Sequence, residues 1–173
     1  NKSGQSECIP CPEGKYSDIE GGTKCKECGI GTFRSQAEID DTSFKGYCKK
    51  CPPGTVNPLT GQDKCLKCTV GQYQPDEGKS ECIKCRKGQS TGIISSQRLS
   101  IDGTPSSYFL GDYIDPEGST TCTDCEKGTH NNSIGSVCKK CGGGFFQDDY
   151  GKSDCVPCPA GEYEPPTKKD VKY

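Results

Sequence analysis

The chain has 173 residues and a net charge of −2, and its acidic and basic side chains are interspersed. This balance excludes the basic footprint of a nucleic-acid-binding protein and a polybasic patch for membranes. Hydrophobic residues make up 29% of the chain, and sixteen of them are cysteines, so the remaining side chains supply too little core for a domain of this length. No stretch is apolar enough to span a bilayer, and cross-links must replace the missing core.

Eight Cys-x-x-Cys pairs run along the chain with a period of about 17 residues and hold all sixteen cysteines. A glycine follows each pair at the third position, a mostly aromatic position comes two residues later, and a second glycine often precedes the next pair. Glycine permits the positive φ of a tight turn, and the aromatic side chain can cover the neighbouring cross-link. This tandem repeat predicts a small disulfide-rich fold, an elongated rod of cysteine-rich loops with short β-hairpins and little or no helix.

In chain order, we predict cysteine-rich repeats over residues 1–85, an insertion within one repeat over residues 86–121, and repeats over residues 122–173 that continue beyond the C-terminus. Within the insertion, Gln97–Ile101 and Tyr108–Ile114 flank an Asp-Gly turn signal and are predicted to pair as a hairpin. This hairpin either covers a thin repeat or contacts a partner, because exposed apolar patches mark interfaces. The candidate contact residues are Tyr108, Phe109, Leu110, Tyr113 and Ile114.

The cysteine pairs admit two cross-linking chemistries. Their spacing is close to that of four-cysteine zinc sites, but the polar, core-poor composition and the unbroken repeat favour disulfides formed in an oxidising compartment. Redox catalysis by a Cys-x-x-Cys thiol needs a βαβ scaffold that the sequence does not indicate. We therefore predict a secreted protein, extracellular or at the cell surface, with no metal and no cofactor, and keep zinc binding as a distant alternative.

Disulfides within a pair would each close a strained loop over two residues, whereas bonds between consecutive pairs avoid this strain. Cys8 and Cys158 then remain without partners. Either the chain is a fragment whose flanking loops are not included, or the two cysteines join copies of the chain head to tail. The predicted bonds are Cys11–Cys25, Cys28–Cys48, Cys51–Cys65, Cys68–Cys82, Cys85–Cys122, Cys125–Cys138 and Cys141–Cys155.

Other candidate sites are sparse. Asn1 and Asn131 lie in Asn-x-Ser sequons and are predicted N-glycosylation sites. His130 fills an aromatic position and is expected to pack, and the carboxylates of residues 38–41 are expected to be solvated and not to bind calcium. The sequence contains no nucleophile–base constellation or phosphate loop, so we expect no enzyme activity.

The run Cys11-Pro-Glu-Gly14-Lys-Tyr16, followed by Gly21 and Cys25, resembles the cysteine-rich repeats of ephrin-receptor-like and tumour-necrosis-factor-receptor-like ectodomains. The resemblance covers nearly the whole chain outside Arg86–Thr121 and implies an extracellular fold whose loops are each closed by one disulfide. The chain lacks the additional cysteines of the full receptor domain, so that type of ligand binding does not follow.

We therefore predict an extracellular structural or adhesive protein that acts as a filament subunit or as the stalk of a surface glycoprotein. The expected partners are proteins, including head-to-tail copies of the chain itself, and glycans, but no nucleic acid. The alternative is a receptor ectodomain segment that binds a protein ligand.

Overall fold

The computed structural model describes residues 7–41, 46–91 and 117–163. Seven disulfides close seven consecutive loops, with Cα–Cα distances of 5.6 to 5.8 Å across the bonds. These are the pairs of the ladder predicted above, and the small disulfide-rich fold is confirmed. We number the loops 1 to 7 by their bonds: Cys11–Cys25, Cys28–Cys48, Cys51–Cys65, Cys68–Cys82, Cys85–Cys122, Cys125–Cys138 and Cys141–Cys155.

Each loop carries one antiparallel hairpin of two-residue strands. The chain enters the hairpin through a β-turn; in loop 1 the Lys15 N–H donates to the Pro12 carbonyl at 3.1 Å, and Gly14 adopts φ +69. The strand pairs are β1 (Lys15–Tyr16) with β2 (Lys26–Glu27), β3 (Thr32–Phe33) with β4 (Lys49–Lys50), β5 (Thr55–Val56) with β6 (Leu66–Lys67), β7 (Gln72–Tyr73) with β8 (Ile83–Lys84), β9 (Gln89–Ser90) with β10 (Thr123–Asp124), β11 (Thr129–His130) with β12 (Lys139–Lys140), and β13 (Phe145–Phe146) with β14 (Val156–Pro157).

One short helix, α1 (Gln36–Asp40), occupies the extra length of loop 2. Its N-cap is Ser35, whose N–H donates to Oε2 of Glu38 at 3.1 Å and whose hydroxyl contacts the same oxygen. The Ser-x-x-Glu spacing is a capping-box signal that the sequence analysis did not use. Among the described residues no helix is long and apolar enough to be a candidate membrane span.

The chain divides into two compact units. The first consists of Asn1–Thr69, Tyr73–Ile83 and Glu117–Thr120, and the second consists of Val70–Gln72, Lys84–Pro116 and Thr121–Tyr173. Neither unit has a conventional apolar core in its described residues, because Val56 is the only buried apolar side chain that is not a cysteine. The interior consists mainly of disulfide sulfur and of hydrogen-bonded polar groups.

Candidate functional site: the interface between stacked loops

Consecutive loops are joined by a repeated backbone hydrogen bond. The donor is the N–H of a loop's first glycine, which lies three residues after its opening cysteine. The acceptor is a backbone carbonyl in the next loop, at the residue three positions after that loop's own first glycine. We call this residue the stacking position. In the first unit these bonds are Gly14 to Arg34 at 2.8 Å, Gly31 to Asn57 at 2.8 Å and Gly54 to Gln74 at 2.7 Å. In the second unit they are Gly88 to Asn131 at 2.8 Å and Gly128 to Gln147 at 2.7 Å. Gly71 is an exception, because its N–H donates to the side-chain hydroxyl of Thr91 at 2.8 Å and not to a backbone carbonyl.

A second set of backbone hydrogen bonds has as its acceptors the cysteines that open loops 2 to 6. The second glycine of a loop donates its N–H to the carbonyl of the opening cysteine of the loop before it. The bonds are Gly61 to Cys28, Gly78 to Cys51 and Gly118 to Cys68, each at 2.8 Å, in the first unit, and Gly135 to Cys85 at 2.9 Å and Gly151 to Cys125 at 2.8 Å in the second. These five cysteines are 0 to 1% exposed. The stacking therefore shields one cysteine of each of these five disulfides from solvent, while its partner cysteine is half-buried.

Loops that are two apart also touch, through their glycines. A Cβ atom added to the first glycine of a loop would overlap the carbonyl oxygen of the second glycine two loops later. The pairs are Gly14 with Gly61, Gly31 with Gly78 and Gly54 with Gly118 in the first unit, and Gly71 with Gly135 and Gly88 with Gly151 in the second. In loops 1 to 5, glycine is thus required at the first position for the approach of another loop as well as for its positive φ.

The side chains at the stacking position form a buried polar ladder. Arg34, Asn57, Gln74, Thr91, Asn131 and Gln147 are all between 1 and 8% exposed. The two asparagines each donate to a carbonyl of the preceding loop, Asn57 to Thr32 at 3.0 Å and Asn131 to Gln89 at 2.8 Å. The two glutamines instead span their own loops, Gln74 to Glu81 and Gln147 to Asp154, both at 2.7 Å. Buried polar groups thus replace the missing apolar core, and among these ladder side chains only the Arg34 Nε is buried without a hydrogen-bond partner within the described residues.

The stacking position was not among the predicted site residues. Its signal was nevertheless present, because long polar side chains recur three residues after the first glycine in loops 2, 3, 4, 6 and 7. The aromatic position, two residues after that glycine, was predicted to cover the cross-link instead. That position is only half-buried in most loops, and Phe146 is 38% exposed.

Asn131, one of the two predicted glycosylation sites, lies in the buried polar ladder. The residue is 3% exposed, and its Nδ2 donates both to the Gln89 carbonyl at 2.8 Å and to the Ser136 carbonyl at 3.0 Å. An N-linked glycan would replace one of these two hydrogens and needs open space beside the nitrogen. The geometry therefore argues against a glycan at Asn131. Asn57 fills the equivalent position without a sequon, since Pro58 follows it, so the structural role does not depend on glycosylation. Asn1 lies outside the described residues.

Replacing Asn131 with leucine, which has a similar volume, is expected to destabilise loop 6 by about 3 kcal/mol. The carbonyls of Gln89 and Ser136 would lose a donor, and the Ser133 N–H would lose its acceptor Oδ1, now at 3.0 Å. The free energy of unfolding from chemical denaturation measures this loss. Asn132→Ala is the matched control, because Asn132 is exposed, and it should change stability by less than about 0.5 kcal/mol. Equal losses for both variants would contradict the role given to Asn131.

The remaining predicted site residues lie apart from this interface. Cys8 is exposed and Cys158 is half-buried, and both are free thiols. His130 packs with Nδ1 3.1 Å from the Ser153 carbonyl oxygen. The predicted partner-contact residues 108–114 lie outside the described residues. Fourteen cysteines are in disulfides and offer no thiolate to zinc, and no group of three His, Cys, Asp or Glu side chains within the described ranges is placed to hold a metal.

The pKa of Glu38 is lowered, so its side chain stays a carboxylate at a lower pH than a free glutamate would. Its partial burial alone raises the pKa, but hydrogen bonds from the Ser35 hydroxyl and backbone, together with the charge of Lys49, outweigh burial and hold the pKa below its ordinary value. This corrects the expectation of a solvated carboxylate at this position. Asp40 is exposed on the same helix, and Asp41 caps it by donating its N–H to the Ala37 carbonyl at 3.1 Å.

We expect α1 to lose stability in acid. A group whose pKa is lowered on folding contributes stability above its unfolded pKa, and that contribution disappears as the pH falls through the lower folded value. The protection factor of the Asp41 amide, which is its intrinsic exchange rate at a given pH divided by its observed rate, should therefore fall as Glu38 becomes protonated, and Glu38→Gln should remove this pH dependence of the protection factor. Glu81→Gln in loop 4, outside the helix, should leave it unchanged; an identical pH profile for wild type and Glu38→Gln would contradict the assignment.

Comparison with known families agrees with this geometry. A family model described as tyrosine-protein kinase ephrin type A/B receptor-like matches residues 1–41 and 54–100, which is just over half of the chain. A search of curated proteins found no match. Loops 6 and 7 lie outside the matched residues but repeat the same disulfides, glycine turns and stacking bonds. The chain therefore belongs to the ephrin type A/B receptor-like family, as a receptor-like cysteine-rich segment of extracellular type.

Proposed function

We propose that this segment is an extracellular structural element, a stalk or filament subunit that holds partners at a distance. The observation that carries the proposal is the repeated interface between loops. Each loop is held by its neighbours through the same pattern of hydrogen bonds, with one side-chain acceptor at Thr91, and its described residues contribute almost no apolar core, as in one-dimensional repeat proteins whose stability comes from nearest-neighbour contacts. Such an interface carries load along the series and leaves the outer surface of every loop free to vary.

The disulfides support the same role through their connectivity. Because each bond joins the last cysteine of one pair to the first cysteine of the next, a covalent path runs from Cys11 to Cys155 that passes only through disulfides and Cys-x-x-Cys links. The loops are side branches of this path. Tension applied to the chain is therefore borne by covalent bonds even where the hydrogen bonds between loops have opened.

Stretching a single oxidised chain tests the proposal. A load-bearing stalk should show no long unfolding step until a reductant is added. Long steps of extension in the oxidised chain, at forces that leave disulfides intact, would overturn it.

A cleft in the first unit favours protein-ligand binding as a second candidate function. It has a volume of about 510 Å³, is lined by Phe33, Tyr47, Pro52 and Pro53, and has the Lys50–Glu77 ion pair, 2.8 Å between Nζ and Oε1, beside it. Aromatic and proline side chains around such a cleft suit the apolar side chains of a protein partner. In a binding assay on intact cells, Tyr47→Asp should abolish attachment of the labelled chain, whereas Tyr150→Asp, in the second unit, should not. Equal attachment of all three chains would exclude the cleft.

A further inference from the structure

Asn131 is bonded to three successive loops at once. Its N–H donates to the Lys152 carbonyl of loop 7 at 3.2 Å, and its carbonyl accepts the Gly88 N–H of loop 5 at 2.8 Å. Its Nδ2 donates to the Gln89 carbonyl of loop 5 at 2.8 Å and to the Ser136 carbonyl of its own loop at 3.0 Å. Both hydrogens of Nδ2 are therefore used inside the stack, where the residue is 3% exposed.

The same nitrogen is the acceptor atom of the sequon Asn131-Asn132-Ser133. In the folded chain the Ser133 N–H donates to Oδ1 of Asn131 at 3.0 Å, and the Ser133 hydroxyl donates to Oδ1 of Asn132 at 3.1 Å. A transferase that reads the sequon must reach Nδ2 of the asparagine, and this atom is enclosed by the two carbonyls that it binds. The stacked chain is therefore a poor substrate for such an enzyme.

A glycan and the stack compete for this nitrogen. The first sugar would replace one Nδ2 hydrogen, so one of the two carbonyls would lose its donor, and the sugar ring would need the space that this carbonyl occupies. Stacking itself does not depend on a sugar, because Asn57 is 1% exposed and donates from Nδ2 to the Thr32 carbonyl at 3.0 Å, although Pro58 prevents it from forming a sequon. At Asn131 the two states exclude each other.

We propose that Asn131 is a conditional glycosylation site. It accepts an oligosaccharide only while loop 6 is not stacked on loop 5, and the attached glycan then prevents that stacking. In the covalent step, Nδ2 forms a bond to the anomeric carbon of an oligosaccharide carried on a lipid pyrophosphate. The bond between this carbon and the pyrophosphate oxygen breaks, Nδ2 loses one proton, and the lipid pyrophosphate leaves.

The glycan would change the joint between loops 5 and 6 without cutting the chain. The backbone bond from Gly88 to Asn131 would open, but the covalent path through Cys85–Cys122 and Cys125–Cys138 does not include Asn131 and would continue. The modification would therefore convert a hydrogen-bonded joint into one held by covalent links alone. The proposal needs the extracellular type of the segment and not its role as a stalk, and its failure would leave the stretching behaviour of an unmodified chain unchanged.

The first test uses the purified 173-residue chain with Asn1→Gln, so that Asn131 carries the one remaining sequon. Oxidised and reduced samples are incubated with an oligosaccharyltransferase and a lipid-linked oligosaccharide, and mass spectrometry measures the fraction of chains modified. The reduced chain should be modified about tenfold more or better, because the oxidised chain exposes Nδ2 only through local opening. Equal modification of the two samples, or none in either, would overturn the proposal.

The matched control moves the sequon by one residue. In the Asn1→Gln chain, Asn131→Gln together with Ile134→Thr places the sequon on Asn132, which is exposed. The fold should be retained, because Gln74 and Gln147 fill the stacking position in loops 4 and 7 and Ile134 is 64% exposed. Modification of Asn132 should be nearly the same in the oxidised and reduced samples. If reduction raised it as much as at Asn131, burial in the ladder would not be the cause, and the proposal would be wrong.

The second test asks whether the glycan prevents stacking. Chains modified at Asn131 are oxidised, and hydrogen exchange is compared with that of unmodified chains. The protection factor of the Gly88 amide should fall about tenfold or more, because its acceptor carbonyl is displaced. The Gly54 amide, which donates to the Gln74 carbonyl at 2.7 Å in the first unit, should keep its protection. Full protection of Gly88 in the glycosylated chain would show that glycan and stack coexist, which contradicts the proposal.

Discussion

A single oxidised chain pulled by its two ends is expected to extend, between Cys11 and Cys155, to only about 100 Å, and to about 500 Å after reduction. The oxidised length follows from seven disulfides, each with Cα atoms 5.6 to 5.8 Å apart, and from six short Cys-x-x-Cys links at full extension. Reduction releases every residue of the seven loops into the stretched path. Force spectroscopy with and without a reductant measures both lengths.

Removing single bonds gives a quantitative control for this prediction. Loop 5 spans a sequence separation of 37 and loop 3 one of 14. The double variant Cys85→Ser, Cys122→Ser should therefore add about 120 Å to the oxidised length, and Cys51→Ser, Cys65→Ser about 40 Å. Equal gains from the two variants would contradict the pairing of the cysteines on which the covalent path depends.

Gly54→Ala is expected to destabilise the first unit by about 3 kcal/mol or more, because it combines two unfavourable effects. The new Cβ would overlap the Gly118 carbonyl oxygen of a loop two further along, and the backbone at Gly54 has φ +81, which alanine rarely adopts. The second glycine would be pushed away from the Cys68 carbonyl, to which its N–H donates at 2.8 Å. Hydrogen exchange of the Gly118 amide should accelerate strongly.

Gly142→Ala is the matched control for this substitution. Gly142 lies in the corresponding turn of loop 7, with no positive φ and no described atom within 4 Å of an added Cβ. Its replacement should change stability by less than about 0.5 kcal/mol. If Gly54→Ala and Gly142→Ala had the same effect, then contact between loops would not be the reason for glycine at the first position.

The sequence predicted the disulfide ladder and the hairpins because both repeat with the period of the cysteine pairs. It predicted the turn glycines for their conformation but not their contacts. The contact between Gly14 and Gly61 depends on how each loop is displaced relative to its neighbours, and no local sequence pattern encodes that displacement. Gly135 departs from the spacing of the repeat, because it lies three residues before its pair where Gly61, Gly78, Gly118 and Gly151 lie four, yet it makes the corresponding bond to Cys85.

The buried position of Asn131 was not predicted, for a different reason. A sequon describes three adjacent residues, whereas the role of this side chain is fixed by the Gln89 carbonyl in the preceding loop. Comparison with Asn57, which has the same register but no sequon, would have indicated a buried role from the sequence alone. Helix α1 is encoded locally, by the capping box of Ser35 and Glu38. The repeat pattern does not predict this helix, because the helix lies between the cysteine and glycine positions that the repeat defines.

The two enlarged loops accommodate their extra residues in the same place. In loop 2 the added length, including α1, follows the stacking position at Arg34, and in loop 5 it lies between the stacking position at Thr91 and the second glycine at Gly118. Loop 5 keeps its bonds to neighbouring loops, with the Thr91 hydroxyl in place of the usual backbone carbonyl, although its disulfide spans 37 residues where most span 14. The segment between the stacking position and the second glycine therefore tolerates insertions. Evolution or a protein engineer can add a binding peptide or a whole domain there without disturbing the array of loops that displays it.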